Sequence, residues 1–286
     1  MKKQDSLAHI RAYYDHNTPR FLGRGAQRFT RTIHRPVWGP GVQDESQALH
    51  YVHNLILAEL DQTHPHPGTE LAVADLGCDV GASLFYLLKN SPSPLRALGL
   101  TISPLQVRLA QAESLQRSFG TRSLFCLADF TAPPLGKQFD LVFSIEAFAH
   151  TNQPRAYFQA AACLLRPGGR LVVCDDFLGA NVPRASVDTH CLETFRSGWS
   201  VPGVIDPHTA VTYAREAGLA LVNQLDLTPY LRLRPLPGGI LRLAELLVRT
   251  LAPADPHWRS ILGGQALQLC LSRGLVQYRF LTFTRM

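Results

Sequence analysis

The segment Val73-Ala-Asp-Leu-Gly-Cys-Asp-Val-Gly81 constrains this chain most. An apolar run ends in an acid, turns on a glycine and leads into residues that favour a helix. That reads as a buried strand, a tight turn and a helix start. The same rhythm then repeats. Strands are expected at Leu71–Asp75, Arg96–Leu100, Ser123–Leu127, Leu141–Ser144 and Arg170–Cys174. Helices are expected at about 82–89, at 104–119 with Ser103 as N-cap and Pro104 in first position, and at about 154–165 ahead of Pro167-Gly-Gly169. Alternation of this kind forces parallel strands, right-handed crossovers and helices on both faces. The strands are nearly continuous apolar runs, as fits a sheet covered on both sides.

Outside this core the pattern changes. Residues 1–66 read as an amphipathic helical cover, broken at Gly23-Arg-Gly25 and Pro36-Val-Trp-Gly-Pro-Gly41, with a helix over 44–60. After Asp176 the pattern loosens. A helix near 208–217 and a strand at 219–225 continue the sheet, and 228–272 is an arginine-studded helical cap. Residues 274–285 alternate as a final antiparallel strand. The expected fold is therefore α/β, a Rossmann-like seven-stranded sheet. Residues 67–227 and 273–286 form its core, and the helical cap is inserted before the last strand.

Composition narrows the function. The 286 residues are 46% hydrophobic and 17% charged, with a net charge of +6, which suits a globular core. Met1-Lys-Lys3 is followed by no apolar leader, and no stretch approaches the ~18 apolar residues of a membrane span. The six cysteines form no C-x-x-C pair. Free thiols in a reducing, cytoplasmic setting are expected. The arginines are scattered and not interleaved with aromatics, so a nucleic-acid platform is not indicated. His50 and His53 share a helix, and His64 and His66 flank prolines. No further ligands converge on them, so no metal is expected.

Ligands of open parallel sheets bind outside the carboxyl ends of the strands. Gly77 and Gly81 let the backbone approach a ligand, and the helix start that follows favours a carboxylate. Asp75 can hold the turn and attract an ammonium through water. Asp129, closing the third strand, can accept from an adenine amino group. An adenosine carrying a methionine fits this set. A dinucleotide does not, because G-x-G-x-x-G is absent and no acid ends the second strand.

With Asp75-Leu-Gly-Cys-Asp-Val-Gly81, Gly99-Leu-Thr-Ile-Ser-Pro-Leu-Gln106, Ser144-Ile-Glu-Ala-Phe-Ala-His150 and Leu165-Arg-Pro-Gly-Gly169 in place, the chain resembles a class I S-adenosylmethionine-dependent methyltransferase. Within that superfamily it resembles the branch of sterol and tocopherol C-methyltransferases, cyclopropane-fatty-acid synthases and natural-product tailoring enzymes. The resemblance implies that Asp75, Gly77, Cys78 and Gly81 surround the methionine moiety. It places Thr101, Ile102 and Gln106 by the ribose and adenine, and Asp129 and Phe130 by the adenine. Ser144 and Ile145 would lie beside the sulfonium, and Glu146 and His150 on the acceptor side. Tyr13-Tyr14-Asp15 and Trp38 are candidates for an aromatic cover.

The sequence departs from that pattern at three points. Asp79 stands at the motif's middle glycine, and Thr101 and Ser103 replace the usual ribose-binding acid. Ala149 replaces the glutamate that the cyclopropane synthases carry before the histidine. The last change argues for simple methyl transfer over ring closure. His150 is the candidate general base, against a role capping the next helix. Glu146 would stabilise a carbocation or hold the cofactor loop. His34 in the lid and Arg232 in the cap are candidate acceptor contacts, alongside Arg234, Arg242 and Arg249. The cap's leucines are expected to roof an apolar pocket.

The function expected is methyl transfer from S-adenosylmethionine to carbon or oxygen of a small hydrophobic metabolite, with a homodimer left open. The alternatives are a relative that cyclises or rearranges its substrate without net methylation, and a binding module whose cofactor site has decayed.

Overall fold

The computed structural model describes residues 3–23, 30–63, 68–134, 136, 139–181, 186–251 and 256–286. Helices α1 (Lys3–Leu22) and α2 (Glu45–Asp61) precede the sheet. Asp44 caps α2 by accepting from Gln47 N at 2.8 Å. Then follow β1 (Leu71–Leu76), α3 (Ala82–Asn90), β2 (Leu95–Thr101), α4 (Pro104–Gln116), β3 (Ser123–Leu127), β4 (Phe139–Ile145), α5 (Pro154–Leu164) and β5 (Leu165–Leu178). The chain ends with α6 (Ser186–Trp199), α7 (Pro207–Glu216), β6 (Leu219–Asp226), α8 (Gly238–Leu251), α9 (Pro256–Ser272) and β7 (Val276–Arg285).

The sheet runs β3-β2-β1-β4-β5-β7-β6. The first five strands are parallel, and β7 is antiparallel to both β5 and β6. Strand order reverses between β1 and β4, so their carboxyl ends flank the crevice where ligands bind in open sheets. β4 is buried along its whole length. One face of the sheet packs against α2, α3, α4, α6 and α9, through residues such as Val73, Phe143 and Tyr278. The other packs against α5 and α7, through Val142, Tyr157 and Phe283.

Two differences from the sequence expectation have physical causes. β5 continues past Cys174 to Leu178 because Asp175, Asp176 and Phe177 pair with β7 out to Val276. Helix α6 was not expected, because much of its buried face consists of Cys191, Thr194 and Gly198 rather than large apolar residues. It packs backbone-close on α9: a Cβ at Gly198 would lie 2.6 Å from Arg259 O and 2.7 Å from Gly263 Cα. Contacts made by glycine leave no hydrophobic period to read.

Candidate functional site

The crevice begins at the end of β1. Gly77 N and Cys78 N both donate to Leu100 O at 2.9 Å, which turns the chain across β2. Gly77 has φ +98, and a Cβ there would lie 2.4 Å from Ala147 Cβ. Only glycine fits, and bare backbone floors the crevice. Asp79 holds φ +48. Its Oδ1 accepts from Gln106 Nε2 at 2.8 Å. Gln106 also donates to Thr18 Oγ1 at 3.1 Å, and its carbonyl accepts the Thr101 hydroxyl at 2.6 Å. Burial pushes Asp79 up to about 7, with nearby Glu146 adding to the rise against the Gln106 hydrogen bond. Burial, then Asp79, also holds Asp75 well above the carboxylate range.

Helix α1 lies over this crevice. Ser103 donates to Asp15, and Tyr14 Oη lies 2.6 Å from His150 Nε2. His150 Nδ1 lies 3.1 Å from Ser200 O. A carbonyl only accepts, so Nδ1 carries the proton and Nε2 accepts from Tyr14. Burial lowers His150 to about 4, against the Ser200 hydrogen bond and Glu146, so at neutral pH it is uncharged. The crevice is lined by Ile10, Tyr14, Gly77, Thr101, Ile102, Gln106, Asp129, Phe130, Glu146 and His150, among others. It encloses about 660 Å³ of space, open solvent at its mouth included.

A second chamber adjoins it, lined by Ile33, His34, Arg35, Pro36, Ile145, Glu146, Ala149, His150, Asp175, Asp176, Trp199 and Val201 among others. Arg35 dominates it. Its Nη1 and Nη2 donate to the two oxygens of Asp176 at 2.9 and 2.7 Å, and its Nε and backbone N donate to Glu146 Oε1 at 2.9 and 3.0 Å. Tyr278 Oη donates to the same Glu146 oxygen at 3.0 Å, and the guanidinium lies over the Tyr278 ring at 4.4 Å. Burial pushes Glu146 up, but Arg35, His34 and these hydrogen bonds outweigh it and leave it below its ordinary value. Asp175 accepts from Ala149 N and Asp176 N, and burial beside Asp176 pushes it up to about 8.

Nine of the sequence candidates meet in the first crevice: Tyr14, Gly77, Thr101, Ile102, Gln106, Asp129, Phe130, Glu146 and His150. Asp75 and Cys78 line an adjoining recess with Gly77 and His34. Gly81 lies beneath the Phe125 ring, 2.7 Å from where its Cβ would be. The Ser144 hydroxyl turns away to Tyr157 Oη at 2.6 Å, fully buried. His34 lines the second chamber and is held by His53, their Nε2 atoms 3.0 Å apart, with His50 beyond. Trp38 and Arg232 lie outside both chambers. Arg232 stacks 3.1 Å above the Trp38 ring, whose backbone N donates to Tyr230 O. They brace lid against cap. The cap's Leu236, Ile240, Leu243, Leu246 and Leu247 are exposed and line neither chamber. The Tyr13 and Arg249 side chains, with His64 and His66, lie outside the described residues.

Sequence reasoning missed Arg35 and the Asp175–Asp176 pair. The aspartates had a signal, since both close the carboxyl half of β5. Arg35 had none beyond its place beside His34.

Comparison with known proteins agrees with this geometry. Residues 74–173 match the family described as a methyltransferase domain. A 24-methylenesterol C-methyltransferase 2 from Oryza sativa subsp. japonica is 28% identical over 62% of this chain and 47% of its own length. A 27-O-demethylrifamycin SV methyltransferase from Amycolatopsis mediterranei is 27% identical over 75% and 79%. The chain spans about half the length of the first of these. Geranyl diphosphate C-methyltransferase from Streptomyces coelicolor, solved with Mg2+, geranyl diphosphate and S-adenosylhomocysteine, shares the fold. Its TM-score is 0.69 at 15% identity, over 98% of both chains. Residues 74–173 therefore carry a methyltransferase domain, and the chain is similar to sterol, tocopherol and natural-product methyltransferases.

Proposed function

We propose that the protein transfers a methyl group from S-adenosylmethionine to a carbon or oxygen of a small, largely apolar acceptor. The observation that carries this reading is the convergence of four consecutive strand ends, β1 to β4, on one crevice under Tyr14. Its chemistry suits the cofactor. The bare backbone at Gly77, where no Cβ fits, suits an amino-acid tail. Asp129 and Thr101 offer polar partners, and Ile10, Ile102 and Phe130 offer apolar walls for a nucleoside. When bound, the cofactor supplies a methyl carbon already activated by a positive sulfur.

The chain's own residues then have to align a nucleophile, exclude water and accept a proton where the acceptor requires it. Glu146 is held ionised by Arg35 and Tyr278, so it serves as fixed negative charge rather than as a base. His150 is neutral with Nε2 as acceptor. An acceptor hydroxyl that replaces or bonds to Tyr14 Oη would give its proton to that nitrogen. Ile33, Pro36, Ile145, Trp199 and Val201 provide the apolar share of the second chamber, where the acceptor would sit.

The test is titration calorimetry with S-adenosylmethionine and S-adenosylhomocysteine. Micromolar binding of both, with a thermal shift, is expected. No heat and no shift with either removes the proposal. For a hydroxyl acceptor, His150→Gln should lower kcat by about 10²–10⁴ and leave the S-adenosylhomocysteine affinity within threefold.

A further inference from the structure

Helix α8 is apolar over more of its circumference than the fold uses. Leu241 is buried, and Ala244 and Val248 pack against the core beside it. The adjoining stripe, Ile240, Leu243 and Leu247 at i, i+3 and i+7 with Leu246 next to them, is 52, 59, 50 and 60% exposed. Leu236 before the helix and Trp258 at the start of α9 are exposed as well. Four large aliphatic side chains on one stripe are not the scattered exposure normal for a surface.

The charge around this stripe is one-sided. Of the eight arginines in residues 228–286, Arg279 and Arg285 sit on β7, Arg273 pairs with Asp188 and Arg232 stacks on Trp38, which leaves those of the cap's own surface. Arg234, Arg242 and Arg259 are exposed. Glu245 faces inward to His190 at 2.6 Å and to Thr194. An apolar stripe with arginine borders and a nearby tryptophan is the pattern of a helix lying in a lipid–water interface. None of the helices among the described residues is long and apolar enough to cross a membrane.

The geometry points to α8 as a docking surface for an anionic membrane, its Ile240–Leu243–Leu246–Leu247 stripe entering the headgroup boundary and its arginines meeting lipid phosphates. A second copy of the chain fits the charge poorly, because a two-fold contact through this face sets the exposed Arg234, Arg242 and Arg259 against their own copies. An anionic lipid surface supplies the missing complement.

Vesicle flotation of the full chain tests this. Phosphatidylcholine vesicles with and without 30% phosphatidylglycerol are compared at about 100 and 500 mM NaCl. Binding is expected to the anionic vesicles at low salt and to fall severalfold at high salt. The Leu243→Glu/Leu247→Glu variant should lose at least tenfold in partitioning. Arg234→Glu/Arg242→Glu, which leaves the apolar stripe intact, should also lose it, so the test survives misfolding of either variant. No flotation with anionic vesicles at low salt overturns the proposal. So does equal flotation of both variants and the parent. A parent that sediments as a dimer, and becomes monomeric in the leucine variant, overturns it too by showing that a second copy covers the stripe.

Discussion

Replacing Arg35 with methionine removes the guanidinium at the centre of the second chamber and leaves Glu146 and Asp176 facing each other. The Arg35 side chain is 15% exposed and Asp176 only 3%, so water compensates little. Removing one partner of a buried ion pair costs about 3–5 kcal/mol, because the other charge stays desolvated and uncompensated. Here two carboxylates lose a partner, and the stack on Tyr278 goes with it. Against that, Glu146 keeps the Tyr278 hydroxyl at 3.0 Å and some solvent access. A loss of about 3 kcal/mol is expected, which at about 2–4 °C per kcal/mol lowers Tm by about 6–12 °C. Urea denaturation followed by circular dichroism measures the first figure and calorimetry the second. Arg35→Lys keeps the charge but not the two-pronged contact with Asp176, and should lose about half as much. Adding Glu146→Gln and Asp176→Asn to Arg35→Met should recover stability, since no unpaired charge remains. A single Arg35→Met loss below about 1 kcal/mol, or a triple variant worse than the single, would refute the electrostatic account.

Gly77→Ala places a Cβ 2.4 Å from that of Ala147 at φ +98, so a loss of about 2 kcal/mol or more is expected, with the thermal shift by S-adenosylhomocysteine abolished. Asp79 is held protonated to about 7 in the fold but ionises near 3.8 when unfolded. The unfolded state therefore binds fewer protons between these values, and this group's contribution falls as pH rises. The stability of Asp79→Asn relative to the parent should thus increase between pH 4 and 7, by about 1.4 kcal/mol per pH unit at most, in denaturation at several pH values. Asp79→Gly relieves the φ of +48 but strips Gln106 of its acceptor, so S-adenosylhomocysteine affinity should fall three- to tenfold. A tenfold rise would instead mark a decayed site.

The parallel core was legible because β1, β2 and β4 are largely buried apolar runs, while the half-exposed edge strand β3 and the helix after it had other signals. Ser103 and Pro104 set the start of α4, and the apolar run ending at Leu127 set β3. Legibility failed where small residues carry the packing, as at Gly198 in α6, and where a strand's last residues are acids, as at Asp175 and Asp176. Trp38 read as part of an aromatic cover because the resemblance implies one near the amino terminus. What decides its place is a hydrogen bond to Tyr230 and the guanidinium of Arg232, partners far along the chain.

The site divides the same way. Residues that follow a strand end directly were readable, since topology alone delivers them to the crevice. Charges that meet across 111 and 141 residues, as Arg35 meets Glu146 and Asp176, have no local signature. Asp79 lies between these cases. Its departure from glycine was plain in the sequence, but its consequence depends on Gln106, whose amide gives one hydrogen to Asp79 and another to Thr18 while its carbonyl takes one from Thr101. That amide ties α1 and the ends of β1 and β2 into one unit. A glycine at 79 would free the backbone and leave the Gln106 donor unpaired, so the carboxylate is a working part of the crevice wall rather than a blemish in the turn.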